Sequence, residues 1–342
     1  MQAIVYEGPN RLAVKDYPIP EPKQGWVLVR VSHAGICGTD LHIYEGTHPR
    51  AKAPLVMGHE FSGILESDDV PGMPKGTRVT SYPLLSCGHC TPCKEGNGHV
   101  CNTLGLVGID CDGAFAEYVQ VPRESLIPLP DNISLKLGAF VEPVAVAVHA
   151  LREQGYVPGD NAVVFGCGPI GMITALTLRV FGCQDLLMME IDPVRAQMAR
   201  DLGFEVQDSS KVGDMGEYCR SRTGGDGYDW VFDCVGVQSV ADVLLEAVKV
   251  KGHVFVIASY ARPAAMPFFL GMAKEASIVF TRVYRQKDFA LAASIVGADP
   301  NFEKVITHVL PAAEAEEGIR LLTTRGTGAM KVLLQFGPDN GF

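Results

Sequence analysis

No stretch of this 342-residue chain approaches the roughly 18 uninterrupted apolar residues that a membrane-spanning helix needs. The greasiest central run, AFVEPVAVAVHA, is short and carries Glu142. The opening residues, MQAIVYEGPNRLAVKDYPIP, lack the basic region and long apolar core of a secretory signal, so a soluble cytoplasmic protein is expected. Basic runs are missing too. Lys and Arg number 29 against 39 Asp and Glu, giving a formal net charge of −10, and nothing in the chain is fitted to neutralise a phosphate backbone. Nucleic acid and membranes are therefore not expected partners. Repeats, low-complexity tracts and long linkers are also lacking. What remains is ordinary globular material, 47% apolar and 20% charged, at a length that calls for two domains.

Residues 1 to about 145 read as β-rich, with short alternating pieces such as WVLVRV and FSGILE between Gly/Pro/Asp turns. The pattern changes at VEPVAVAVHALREQG, which reads as a helix. Strands and helices then alternate: NAVVFG, PIGMITALTLRVFG, DLLMMEI, PVRAQMARDLG, YDWVFDCVG, SVADVLLEAVKVKG and HVFVIASY. Strands about 25 residues apart with helices between them predict βαβ units and a parallel sheet. From about residue 285 the chain returns to mixed short elements, FALAASIV and KVLLQF, too few for a separate domain and expected to pack on the first one.

VVFGCGPIGMITA sets Gly166, Gly168 and Gly171 as GxGxxG directly between a strand and a helix that opens with Pro169 and Ile170. The first glycine allows the tight turn, the second lets a pyrophosphate approach, and the third lets helix and strand pack closely. The helix N-terminus then offers unpaired N–H groups to the phosphates. A second strand ends in Glu190, placed to accept from the ribose hydroxyls of NAD and to repel the 2′-phosphate of NADP. Arg195, about one helical turn beyond, is a side chain able in principle to bind such a phosphate.

The chain has ten cysteines, and in a reducing compartment their spacing reads as metal chemistry first. CGHCTPCKEGNGHVC brings Cys87, Cys90, Cys93 and Cys101 into one loop, a set that fits a closed tetrahedral structural zinc site; an iron–sulfur centre or two disulfides are the alternatives. His89 and His99 lie inside that loop without being needed as ligands. Cys111, Cys167, Cys183, Cys219 and Cys234 lack ligand spacing and read as small buried residues. His33, His48, His149, His253 and His308 read as structural or surface residues.

Two further segments carry chemistry: GICGTDLHIYEG, with Cys37, Thr39, Asp40 and His42, and VMGHEFSG, with His59 and Glu60. A cysteine and a histidine about twenty residues apart, each ending a β-type run, are placed to converge on a metal. Glu142 adds a carboxylate where the first domain ends, although a glutamate near a helix start is favoured in any case.

Together CGTDLHIYEG, GHEFSG, GTRV, the four-cysteine loop, DGAFAEYV, EPVAVAVHA, GCGPIG and KVITHVLPAAEAEEGIRLL resemble the zinc-containing medium-chain alcohol and polyol dehydrogenases, in particular the branch of sorbitol, threonine and butanediol dehydrogenases. The resemblance runs along essentially the whole chain. It implies an α/β protein: a GroES-like β-rich catalytic domain with both zinc sites over residues 1–146, a Rossmann NAD-binding domain over 147–283, and a 284–342 segment returning to the first. Cys37 and His59 resemble the fixed ligands of a catalytic zinc, and Glu60 the glutamate that ligates it or swings away. Glu142 stands where the simple alcohol dehydrogenases carry a cysteine and the polyol and threonine branch a glutamate. Thr39 resembles the hydroxyl that bonds the substrate oxygen, His42 the histidine that passes the proton on, and Asp40 a residue behind the ligands. Arg282 and Tyr284 fall in the region that shapes the substrate pocket. Thr77 replaces the usual aspartate in a surface turn. Zinc as Lewis acid, with an alkoxide giving hydride to NAD, is the expected chemistry, on a polyol, a vicinal diol or a threonine-like hydroxy amino acid. The resemblance also implies a homo-oligomer, tetramer or dimer.

Overall fold

Alternating apolar residues make Trp26–Gly35 a strand with Val27, Val29 and Val31 buried. In the computed structural model, which describes residues 1–68 and 70–337, this strand lies inside a seven-stranded sheet. Its order is Leu126–Pro128, Arg78–Ser81, Glu60–Leu65, Trp26–Gly35, Lys331–Gln335 and Ile306–Pro311, with Tyr118–Pro122 also pairing with Trp26–Gly35. The late strand Lys331–Gln335 runs antiparallel to Trp26–Gly35, with Leu333 opposite Gly35, and Gly35 is in turn opposite Glu60. A second sheet joins Arg11–Asp16, Gln2–Gly8 and Leu55–Val56. These elements form one compact unit, Met1–Ala145 together with the segment from Tyr284 onward. Asp69, within the turn after FSGILE, and residues 338–342 lie outside the described residues. Thr77, in the same turn, caps locally through Oγ1 to the Pro74 carbonyl at 2.6 Å.

The second unit, Val146–Val283, is built on a six-stranded parallel sheet. Its order is Glu205–Asp208, Leu186–Glu190, Ala162–Phe165, Tyr228–Asp233, Val248–Val256 and Ser277–Phe280. The strand order reverses beside Ala162–Phe165, and that crevice is where dinucleotides bind in folds of this kind. Phe165, Tyr228, Val231, Leu244 and Val254 fill its core, each such burial contributing about 1.5–3 kcal/mol. This is the Rossmann arrangement the alternation predicts.

Two local differences have physical causes. The helix read through Gly252 ends at Ala247, and Val248 already starts the next strand. Val248 and Val250 are β-branched and favour extended backbone, and Lys251 turns with a positive φ of 64° where the register shifts. Strand Glu205–Asp208, helix Met215–Arg222 and strand Ser277–Phe280 are additional elements. The first two are polar and the third is short, so hydrophobic periodicity gives no sign of them. No helix among the described residues is long and apolar enough to cross a membrane.

Candidate functional site

Cys87, Cys90, Cys93 and Cys101 converge as free thiols with all four sulfurs within 4.8 Å of one another. Sulfur separations of 4.0 Å (Cys87–Cys93), 3.4 Å (Cys90–Cys93) and 3.7 Å (Cys90–Cys101) bracket the spacing of a zinc tetrahedron. With Zn–S bonds of about 2.3 Å, its edges are about 3.8 Å. Backbone amides prepare the thiolates: the amides of Cys90 and Cys87 donate to Cys87 Sγ and Cys101 Sγ at 3.4 and 3.3 Å. Hydrogen bonding from the His89 and Cys90 amides lowers the Cys87 thiol to about 5. The donor set fits a structural zinc.

The second cluster forms where three strands and a short helix meet. Cys37 caps the helix Gly38–Tyr44, and Asp40 Oδ2 accepts from the Cys37 amide at 2.8 Å, which fixes where the sulfur points. His59 immediately precedes the strand Glu60–Leu65, which Glu60 opens, and both residues are buried. Donor atoms of Cys37, His59 and Glu60 lie within 4.8 Å of one another. Asp40 Oδ1 faces His59 Nδ1 at 3.9 Å, and neither atom has a hydrogen-bond partner among the described residues. A carboxylate behind an imidazole is the arrangement that orients a metal-binding histidine. Burial opposes charge on His59, but Asp40 and Cys37 outweigh it and hold its pKa well above the ordinary value. The converging sulfur, imidazole and carboxylate, with Asp40 behind the imidazole, fit a zinc ion that Cys37, His59 and Glu60 would hold.

Around this set the other expected residues are placed unequally. Thr39 Oγ1 is 3.8 Å from Cys37 Sγ. His42 lies on the exposed side of the same helix, its side chain 64% accessible and 3.8 Å from Glu45. Glu142, buried in the first turn of the helix Val141–Glu153, stands outside the three-residue donor set and accepts a 2.5 Å hydrogen bond from the Tyr284 hydroxyl. Burial, then the charge of Glu60, pushes the Glu142 carboxyl up to about 7.

Lys331 is a member of this centre that the sequence does not reveal. Its ammonium donates to both oxygens of Glu60, at 2.8 and 2.7 Å, and to the Ile36 carbonyl at 3.2 Å. A side chain on Gly35 would collide with Glu60, so this glycine is what lets the pair meet. A lysine inside KVLLQF hints at a buried cation, but its partner is 271 positions away.

In the second unit the glycine motif behaves as its chemistry requires. Gly166 adopts φ 99°. A side chain on Gly171 would strike the Gly166 carbonyl, so that glycine serves packing. Gly168 is different. It has an ordinary φ of −69° as cap of the helix Pro169–Val180, and a Cβ there would meet only Arg195 Nη1 at 3.7 Å. The fold leaves that space open, which fits the approach of a pyrophosphate. Glu190 Oε2 accepts from the Cys167 amide at 2.7 Å, and Oε1 from the amides of Ile191 and Asp192 at 2.7 and 2.9 Å, so the carboxylate ties the glycine loop to the next turn. Arg195 is exposed on the following helix. Asp233, fully buried, holds the neighbouring loop through the amides of Val235 and Gly236 and takes a 2.6 Å bond from Tyr260. Of the cysteines outside the donor sets, Cys167 and Cys219 are buried, whereas Cys111, Cys183 and Cys234 are partly accessible. His33, His48, His149, His253 and His308 belong to neither donor set.

Fold and donor sets together define a zinc- and NAD-dependent dehydrogenase. The family model described as "Alcohol dehydrogenase GroES-like domain" matches residues 23–131, and "Zinc-binding dehydrogenase" matches 169–298. The chain is 32% identical to sorbitol dehydrogenase of Halalkalibacterium halodurans, over 98% of this chain and 99% of that one. It is 31% identical to L-threonine 3-dehydrogenase of Bacillus velezensis, over 98% of each. The crystal structure of 2R,3R-butanediol dehydrogenase from Bacillus subtilis superposes with a TM-score of 0.91 at 30% identity, covering 98% of this chain and 99% of that one. The chain belongs to the zinc-binding medium-chain dehydrogenase/reductase family, related to the sorbitol, threonine and butanediol dehydrogenases.

Proposed function

We propose that the chain oxidises the secondary alcohol of a polyol, a vicinal diol or a threonine-like hydroxy amino acid, with NAD as acceptor, and catalyses the reverse reduction. The observation that carries this reading is the donor set itself: one cysteine sulfur, one imidazole and a carboxylate, with a second carboxylate, Glu142, where simple alcohol dehydrogenases have cysteine. The first unit serves as catalytic domain and the second binds the dinucleotide.

A zinc ion in the Cys37–His59–Glu60 set supplies Lewis acidity to an alcohol oxygen, and NAD supplies the hydride acceptor. Cys37 and His59 hold their donor atoms fixed through the Asp40 contacts. Thr39, beside Cys37, presents a hydroxyl for the substrate oxygen and its proton. His42, exposed on the same helix, carries that proton to solvent. Glu60, paired with Lys331, would be the carboxylate of that set, and Glu142 stands beside it as a second carboxylate bonded to the Tyr284 hydroxyl. Gly166, Gly168, Pro169, Ile170 and Gly171 receive the pyrophosphate, Glu190 the ribose, and Arg195 lies beside the phosphate approach. The enzyme works in the cytoplasm as a homo-oligomer, a tetramer or a dimer.

The test is a comparison of kcat/KM with NAD for sorbitol, xylitol, galactitol, 2,3-butanediol, threonine and ethanol. One polar secondary alcohol should exceed ethanol at least tenfold. Ethanol as the best substrate would overturn the substrate class and favour a dehydrogenase of simple primary alcohols.

A further inference from the structure

Glu142 is held at a distance from the donor set by a chain of contacts that leads to the four-cysteine loop. Its partner Tyr284 is fully buried and locked among rings: Tyr82 lies edge-on at 5.8 Å between centroids, and Phe289 lies at 5.5 Å. The Tyr82 hydroxyl also donates to the Tyr284 carbonyl at 3.2 Å. The next residue, Arg285, donates from Nη2 to Asn97 Oδ1 at 2.9 Å. Asn97 lies between Cys93 and Cys101, and Tyr82 lies just before the short strand Leu84–Leu85 that leads into Cys87. Both the tip and the stem of the cysteine loop therefore grip the Tyr284–Arg285 pair.

We propose that Tyr284 is a positioning residue that keeps the Glu142 carboxylate out of the Cys37–His59–Glu60 set, and that the four-cysteine loop holds Tyr284 in place through Asn97 and Arg285. The inference rests on the reading of Cys37, His59 and Glu60 as the catalytic metal set. Its consequence is that the two metal sites are coupled: order in the structural loop decides which carboxylates surround the catalytic ion. A carboxylate held by one hydroxyl needs only the loss of that bond to turn toward a nearby cation, since burial leaves it no water as an alternative partner.

The test uses the full chain with zinc in the cysteine loop and cobalt(II) in the Cys37 site, read by its visible absorption. Tyr284→Phe should displace the ligand-field bands, because the freed carboxylate enters the coordination sphere. Asn97→Ala should displace them in the same direction by less, and Asn97→Asp, which keeps an acceptor for Arg285, should restore the original spectrum. In a Glu142→Gln background Tyr284→Phe should change nothing. Unchanged bands in both Tyr284→Phe and Asn97→Ala, with zinc still in the cysteine loop, would overturn the proposal even if kcat falls. If Tyr284→Phe does not fold, Asn97→Ala in the half-buried loop carries the test alone. Wild-type protein with no thiolate-to-cobalt absorption would overturn the metal reading itself, an outcome seen before any variant is made.

Discussion

Lys331 and Glu60 form a buried ion pair in which one ammonium meets both carboxylate oxygens, at 2.8 and 2.7 Å, across the gap left by Gly35. With side chains 6% and 1% accessible, neither group has water to turn to. Attraction between them competes with whatever cation the Cys37–His59 pair holds, so Lys331 sets how tightly Glu60 can be taken up by a metal.

Removing the ammonium should therefore be costly. In zinc-free protein Lys331→Met leaves an unpaired buried carboxylate and should destabilise the fold by about 3–5 kcal/mol in urea unfolding. Adding Glu60→Gln to that variant should recover part of the loss, because no uncompensated charge remains. A Lys331→Met protein as stable as wild type would contradict the pairing.

Gly168 and Gly171 should separate binding from folding. Gly168→Ala adds a methyl group to open space and should change stability by no more than about 0.5 kcal/mol. It should nevertheless raise the NADH dissociation constant at least tenfold in a fluorescence titration. Gly171→Ala drives a side chain into the Gly166 carbonyl and should cost roughly 1–3 kcal/mol of stability. Equal effects of the two on NADH affinity and on melting would contradict this division.

The two donor sets predict separable metal losses. Cys93→Ser should reduce zinc from two ions per chain to one and lower the melting temperature, because a structural site contributes folding energy. Cys37→Ser should also lose one zinc but abolish turnover with a smaller change in melting. Plasma-emission metal analysis and calorimetry read both quantities.

Cys167 sits in the glycine loop yet is 0% accessible, and burial, helped by the charge of Glu190, pushes its thiol well up. Iodoacetamide at mildly alkaline pH should leave it unlabelled in the folded protein, with or without NAD, and label it fully in urea. Labelling in the native protein, suppressed by NAD, would show that the loop opens far more than its packing indicates.

Features that depend on local spacing were legible in the sequence. The four cysteines, the GHE pair and the glycine motif carry their geometry within a few residues, and the buried strands announce themselves by alternation. The polar strand Glu205–Asp208 has no such pattern, because its place at the sheet edge leaves it partly exposed. The supports of the centre were hidden for a different reason. Lys331 and Glu60 are 271 positions apart, Arg285 and Asn97 188, and Tyr284 and Glu142 142. Which residues meet across such distances is decided by strand order and register. A buried lysine or tyrosine declares only that it needs a partner.

The most direct test of zinc- and NAD-linked alcohol oxidation is NADH formation from the best polyol or diol after chelation and stepwise zinc return. Activity should vanish with the zinc of the Cys37 site and return in proportion as that site refills, while Cys37→Ser stays inactive at any zinc concentration. Full turnover by protein stripped of that zinc, or by Cys37→Ser, would contradict the account.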